Sequence, residues 1–125
     1  MLNIHERNVG MWMDKKELKK KYKQTMRPMG VYQIKNLVNG KIFIGSSSDI
    51  PGKINSQKFQ LSLGSHMNQE LQNDYKLFGG DNFAFEILDY LEPKEDINYD
   101  YTNDLKALKE MWIEKLLTSS PKGYN

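Results

Sequence analysis

Two β-prone runs, Val31 to Lys35 and Lys41 to Ile44, stand on either side of Asn39-Gly40, and this arrangement constrains the chain more than any other feature. Asn-Gly favours the type I′ turn, which holds both central residues at positive φ. A two-residue turn here predicts that Val38 faces Lys41 and Asn36 faces Phe43. Side chains alternate along a strand, so Tyr32, Ile34 and Phe43 are expected on one face.

The elements after the hairpin are read from periodicity. Met67, Leu71, Tyr75 and Phe78 recur at helical spacing, which predicts a helix from Ser65 to Phe78 stopped by Gly79-Gly80. Phe83, Phe85 and Ile87 alternate in a third strand that Pro93 closes, and their row is assigned to the core together with Trp112. A last helix is expected over 105–117, with Leu105, Leu108, Trp112 and Leu116 on its buried face and Pro121 beyond its end. Residues 89–104 read as an acidic loop. Between 46 and 65 the signal is weaker: Pro51 suits a helix start, but Gly52 costs about 1 kcal/mol relative to alanine inside one. A broken or loop-like element is the expectation there. At the other end, Asp14 and Glu17 resemble a capping box and Leu18 and Tyr22 lie four apart, which predicts a basic helix over 14–24. Residues 1–12 show no period, with Met11, Trp12 and Met13 as an anchor candidate.

The 125 residues suffice for one hydrophobic core. The expected organisation is an extension, 1–27, followed by an α/β (α+β) domain, 28–125. The net charge of +2 is unevenly spread. Residues 14–27 hold seven basic and two acidic residues, whereas residues from 28 onward hold ten lysines and thirteen carboxylates. General attraction of the body to a phosphate polyanion is therefore weak, and any phosphate contact must be local. With no cysteine, the chain has no disulfides, thiolate chemistry or thiolate-bound zinc. No apolar run approaches the roughly 18 residues of a membrane helix, and the first residues lack a signal-peptide core, so a cytoplasmic protein with no membrane partner is expected.

The hairpin reads Gly30-Val31-Tyr32 on one strand and Phe43-Ile44-Gly45 on the other, with ten residues, Gln33 to Ile42, between Tyr32 and Phe43. This resembles the GIY-YIG nuclease family, named for such a pair of tripeptides at this separation. Further matches follow in order: Gly45-Ser46-Ser47 with Asp49-Ile50, Leu71-Gln72, the Phe83 to Leu88 strand, Trp112-Ile113 and Gly123-Tyr124-Asn125. The resemblance implies a three-stranded antiparallel sheet flanked by helices. It also implies hydrolysis of DNA phosphodiesters with one divalent metal, usually magnesium.

The family's site comprises two hairpin tyrosines, an arginine and a histidine four apart on the first helix, and a glutamate three residues before the tryptophan of the last helix. Carried onto this chain, those positions are Tyr32, Phe43, Lys53, Gln57 and Lys109, and only Tyr32 is unchanged. Phe43 lacks the hydroxyl. Lys53 keeps the charge but loses the bidentate fork. Gln57 exchanges no proton near neutral pH. Lys109 places an ammonium where a carboxylate would ligate a hard cation. Glu110 does not replace it by simple rotation: position 109 lies about 60° from Trp112 around the helix, and position 110 about 160°. His66 and Asn125 complete the implied set. His66 stands where some members carry a further histidine, with an exposed residue at a helix start as the plain alternative. Asn125 closes the family's last tripeptide.

The resemblance implies a degenerate nuclease domain that binds nucleic acid, DNA foremost, and cuts it weakly or not at all, with no cofactor expected. Lys15, Lys16, Lys19, Lys20, Lys23 and Lys53 are its candidate phosphate contacts. Two alternatives stay open: an active Mg2+-dependent endonuclease whose metal is held by Glu110, Glu114 or Asp49, and an interaction module whose basic helix docks an acidic protein partner. The basic segment lying against the acidic 89–104 loop is a further reading of that helix.

Overall fold

The computed structural model describes residues 27–116, 118 and 121–125. The expected basic helix with Lys15, Lys16, Lys19, Lys20 and Lys23, the Met11–Met13 anchor and any clamp onto the acidic loop lie outside the described residues. The chain divides into two compact units. One comprises residues 27–91 and 101–125 and carries the sheet, the helices and the candidate site. The described part of the other is 92–100, a loop turned by Asp96, whose carboxylate accepts from the Asn98 N–H and whose carbonyl accepts from the Tyr99 N–H.

Strands β1 (Gly30–Asn36) and β2 (Ile42–Ser47) form the expected hairpin in a different register. Ile34, not Asn36, pairs with Phe43, and Tyr32 pairs with Gly45. The loop is longer because Asn36 organises it. Its side-chain oxygen accepts from the N–H groups of Val38 (2.9 Å) and Asn39 (3.4 Å), and its carbonyl accepts from Gly40, at φ +79°. The Asn36 N–H then closes onto the Lys41 carbonyl. The register differs by two residues, and two is the side-chain period of a strand. Tyr32, Ile34 and Phe43 therefore still share a face.

Strand β3 (Phe83–Tyr90) pairs antiparallel with the other side of β1, giving the sheet order β2-β1-β3. Tyr32 pairs with Ile87 but Val31 pairs with Asp89, so Leu88 is an extra residue in the ladder. Such a bulge bends its strand. Phe83 is buried as expected and Phe85 is partly buried against the core, but Ile87, beside the bulge, is 41% exposed and does not belong to it.

Residues expected to be broken or loop-like form a continuous helix, α1 (Ile50–Leu63). Asp49 caps it by accepting from the Gly52 N–H, and Pro51 sits in the first turn, where it forfeits no intrahelical bond. Gly52 therefore falls at the capped end rather than in the interior, where its propensity penalty applies. Gly64, at φ +80°, ends the helix in a Schellman motif: its N–H reaches Leu61 and that of Ser65 reaches Gln60. Residues 65–68 are spent on this exit and on the next cap. Helix α2 (Gln69–Phe78) thus starts four residues later than expected, with Asn68 as N-cap and Met67 outside it at 90% exposure.

Helix α3 (Thr102–Leu116) packs against β1 and β2. Leu105 is buried, but Leu116 is exposed and Trp112 is half-buried rather than core. Its indole N–H is held at the surface of the sheet by Asp89 at 3.1 Å, and the Lys115 ammonium covers the ring.

The main core gathers Tyr32, Ile34, Ile50, Leu61, Leu71, Phe83 and Tyr124. Tyr124 enters because residues 124–125 dock on the open edge of β2. The Tyr124 N–H donates to the Ile42 carbonyl, and its hydroxyl accepts from Asn36 and donates to Asp74 at 2.7 Å. Among the described residues no helix is long and apolar enough to cross a membrane.

Candidate functional site

All seven positions singled out in the sequence line one cavity of about 470 Å³: Tyr32 and Phe43 from the hairpin, Lys53 and Gln57 from α1, His66 from the α1–α2 connection, Lys109 from α3, and Asn125. The cavity forms where the tyrosine end of β1 and the glycine end of β2 meet the first turns of α1.

Tyr32 is 1% exposed, and its ring passes directly over Gly45. A Cβ at position 45 would lie 2.3 Å from the Tyr32 hydroxyl, so this approach requires glycine. Burial pushes the Tyr32 phenol up to about 12. At neutral pH it is a protonated donor, and its hydroxyl takes no hydrogen bond from the described residues. Phe43 contributes a ring edge to His66, with centroids 5.8 Å apart and planes at 89°.

His66 is buried, not exposed at a helix start, and both ring nitrogens and its backbone N–H are engaged. The Asn68 N–H donates to Nδ1 at 3.0 Å, which leaves the proton of the neutral ring on Nε2, facing Gln57 Oε1. The His66 N–H donates to Gln72 Oε1, and the Gln72 amide in turn donates to the Leu61 carbonyl. Burial lowers the His66 pKa below 6.5, and the nearby Lys53 charge acts in the same direction. Gln57 is thus not merely a lost proton carrier, because it holds an uncharged imidazole in one tautomer.

Asn125 is bound at both ends of its amide. It accepts from the Ile44 N–H at 2.8 Å and donates to the Ile44 carbonyl at 2.9 Å, while the Thr118 hydroxyl also donates to its oxygen. Its place is structural: it fixes the β2 segment that leads into Gly45.

Lys53 and Lys109 both line the cavity, and among the described residues no aspartate or glutamate does. The carboxylates considered as relocated metal ligands are elsewhere. Glu110 and Glu114 are exposed and off the wall. Asp49 is committed to the α1 cap and to Arg27 at 2.8 Å, and these partners hold its carboxyl below the usual range. Among the described residues no cluster of three histidine, cysteine or acidic side chains is disposed to hold a metal.

The sequence reading missed Gln60, Met67 and Asn68 on the wall. Asn68 carried a usable signal, an asparagine followed by Gln69-Glu70 at the front of a helical period, but the helix start had been assigned to Ser65.

No family model matches the chain. Curated and solved proteins do. Intron-associated endonuclease 1 of Enterobacteria phage T4 is 30% identical over 96 residues, which cover 77% of this chain and 36% of that protein. The solved catalytic domain of homing endonuclease I-TevI is 30% identical with a TM-score of 0.64, over 78% of this chain and 96% of that domain. A mutant of the same catalytic domain matches at 28% identity and a TM-score of 0.64, over 78% of this chain and 92% of that one. With its strand order, helices and hairpin tripeptides, the chain belongs to the GIY-YIG nuclease family. It spans about a third of the length of the curated phage protein it matches.

Proposed function

We propose that this chain is a GIY-YIG domain that binds nucleic acid at its basic cavity and hydrolyses phosphodiesters weakly or not at all. One observation carries the reading: Lys109 lines the cavity with Lys53, and no aspartate or glutamate among the described residues is on that wall. A magnesium ion needs near-octahedral oxygen ligands, usually with one or two carboxylates among them. The lining offers amide and hydroxyl oxygens beside two ammonium groups, a donor set that does not suit a hard dication. The groups that would activate water are also weak. Tyr32 stays protonated, Phe43 has no hydroxyl, and Gln57 accepts the His66 proton without exchanging one. What remains is suited to holding an anion: two positive charges and a phenol donor.

Two measurements test the reading. A fluorescent duplex should bind the full chain at low salt in the presence of EDTA, with affinity falling as salt is raised. Supercoiled plasmid incubated with magnesium or manganese should stay intact. Robust metal-dependent nicking abolished by Tyr32→Phe overturns the loss of cleavage, and absence of duplex binding even at low salt overturns nucleic acid as the partner.

A further inference from the structure

The cavity wall has a definite charge, and that charge discriminates between kinds of phosphate. Lys53 and Lys109 supply two ammonium groups, with no aspartate or glutamate among the described residues beside them. Two like charges on one wall favour a ligand whose own charge matches them. An internal phosphodiester brings one negative charge and leaves half of it uncompensated. A phosphomonoester brings about −1.5 to −2 near pH 7, because its second pKa is about 6.

Resting on the nucleic-acid reading above, we propose that the cavity is a metal-independent receptor for a phosphomonoester dianion, with Lys53 and Lys109 balancing its two charges and the Tyr32 hydroxyl donating to one of its oxygens. Three features support the assignment. The Tyr32 hydroxyl lines the cavity and takes no hydrogen bond from the described residues. Phe43 and His66 stack edge to face, and Asn125 is tied to Ile44, so the wall is pre-formed around the charges. The volume of about 470 Å³ accommodates a phosphate with its attached sugar. Such a phosphate occurs at a strand end or on a free nucleotide, and the chemistry of recognition is shared.

The test titrates methyl phosphate and dimethyl phosphate into the full chain in EDTA, following the amide signals of Gly45, His66 and Asn68. At pH 7.5 methyl phosphate should bind at least tenfold more tightly. The ratio should shrink towards one at pH 5, where the monoester has lost its second charge. Of the groups facing the ligand, Tyr32 is kept protonated throughout this range by burial, and any charge gained by His66 favours both ligands and leaves the ratio to report the ligand. Lys109→Met, and separately Lys53→Met, should erase the preference while the spectrum of the core is retained. Equal affinities at pH 7.5, or binding that appears only on adding magnesium, overturn the proposal.

A 5′-phosphorylated duplex, its 5′-hydroxyl counterpart and a mononucleotide then separate the sources. A phosphorylated duplex that binds best assigns the cavity to strand ends, and a mononucleotide that binds as tightly assigns it to free nucleotides. Preference for methyl phosphate without duplex binding leaves the receptor standing and removes the nucleic-acid reading.

Discussion

The side-chain amide of Asn125 hydrogen-bonds to both backbone polar groups of Ile44, so one side chain stands where the peptide of a neighbouring strand would stand. Strand β2 is an edge strand, and this contact, with the Tyr124 N–H on Ile42, satisfies groups that an edge leaves open. Asn125→Ala removes both bonds and should destabilise the domain by about 1–3 kcal/mol, a fall of several degrees in Tm. Asn125→Asp keeps the acceptor and loses the donor, and should lie between the two in a thermal melt.

Stability should fall on mild acidification because of His66. Its folded pKa is lowered below the unfolded value of 6.5, so below that value the unfolded chain binds the proton more readily. The contribution is therefore fully present above pH 6.5 and is lost as pH falls towards the folded pKa. Urea midpoints at pH 7.5, 6.5 and 5.5 should decline in the natural protein and change less in His66→Gln.

Alkaline conditions act through Tyr32. Its phenol is raised to about 12 by burial, so its contribution is present below pH 10 and is lost between pH 10 and 12. Two pKa units correspond to about 2–3 kcal/mol at this 1%-exposed residue. Tyr32→Phe should flatten the alkaline limb of a denaturation series, and ultraviolet titration should show the natural tyrosine ionising late.

Gly45 and Tyr32 should behave as a coupled pair. Gly45→Ala places a methyl 2.3 Å from the Tyr32 hydroxyl and should cost roughly 1–3 kcal/mol by overpacking. Tyr32→Phe removes the nearest of the clashing atoms, so the double variant should lose less stability than the two single losses predict in a denaturant cycle.

A carboxylate at position 109 should restore cation affinity before it restores cleavage. Lys109→Glu exchanges an ammonium for an oxygen anion on the cavity wall. Manganese binding should then appear in the millimolar range by calorimetry, with plasmid nicking still weak because Phe43 and Gln57 are unchanged.

Much of this fold was legible because its signals are local. Asn39-Gly40 marked the hairpin, Gly79 the end of α2, and the alternation of Phe83 and Phe85 the third strand. What was misread depended on partners distant in sequence or on side chains acting as caps. The hairpin register turned on the Asn36 side chain accepting two backbone N–H groups, which no propensity scale records. Helix α1 was hidden by Gly52, whose cost vanishes once Asp49 caps its N–H. Ile87 is apolar and in phase with Phe83 and Phe85, yet it is 41% exposed, which alternation along the strand does not record. The convergence of Lys53 and Lys109 came from family position alone, since nothing within the chain links two lysines on separate helices.

Among the described residues Tyr32 lies in the one strand bonded on both sides, to Gly45 on one flank and Ile87 on the other. Amides there should be among the slowest to exchange with deuterium, and Lys53 and Lys109 are carried on two separate helices outside the sheet. The cavity therefore has a floor fixed by the centre of the sheet, and its two charges reach it from separate helices above the hydroxyl.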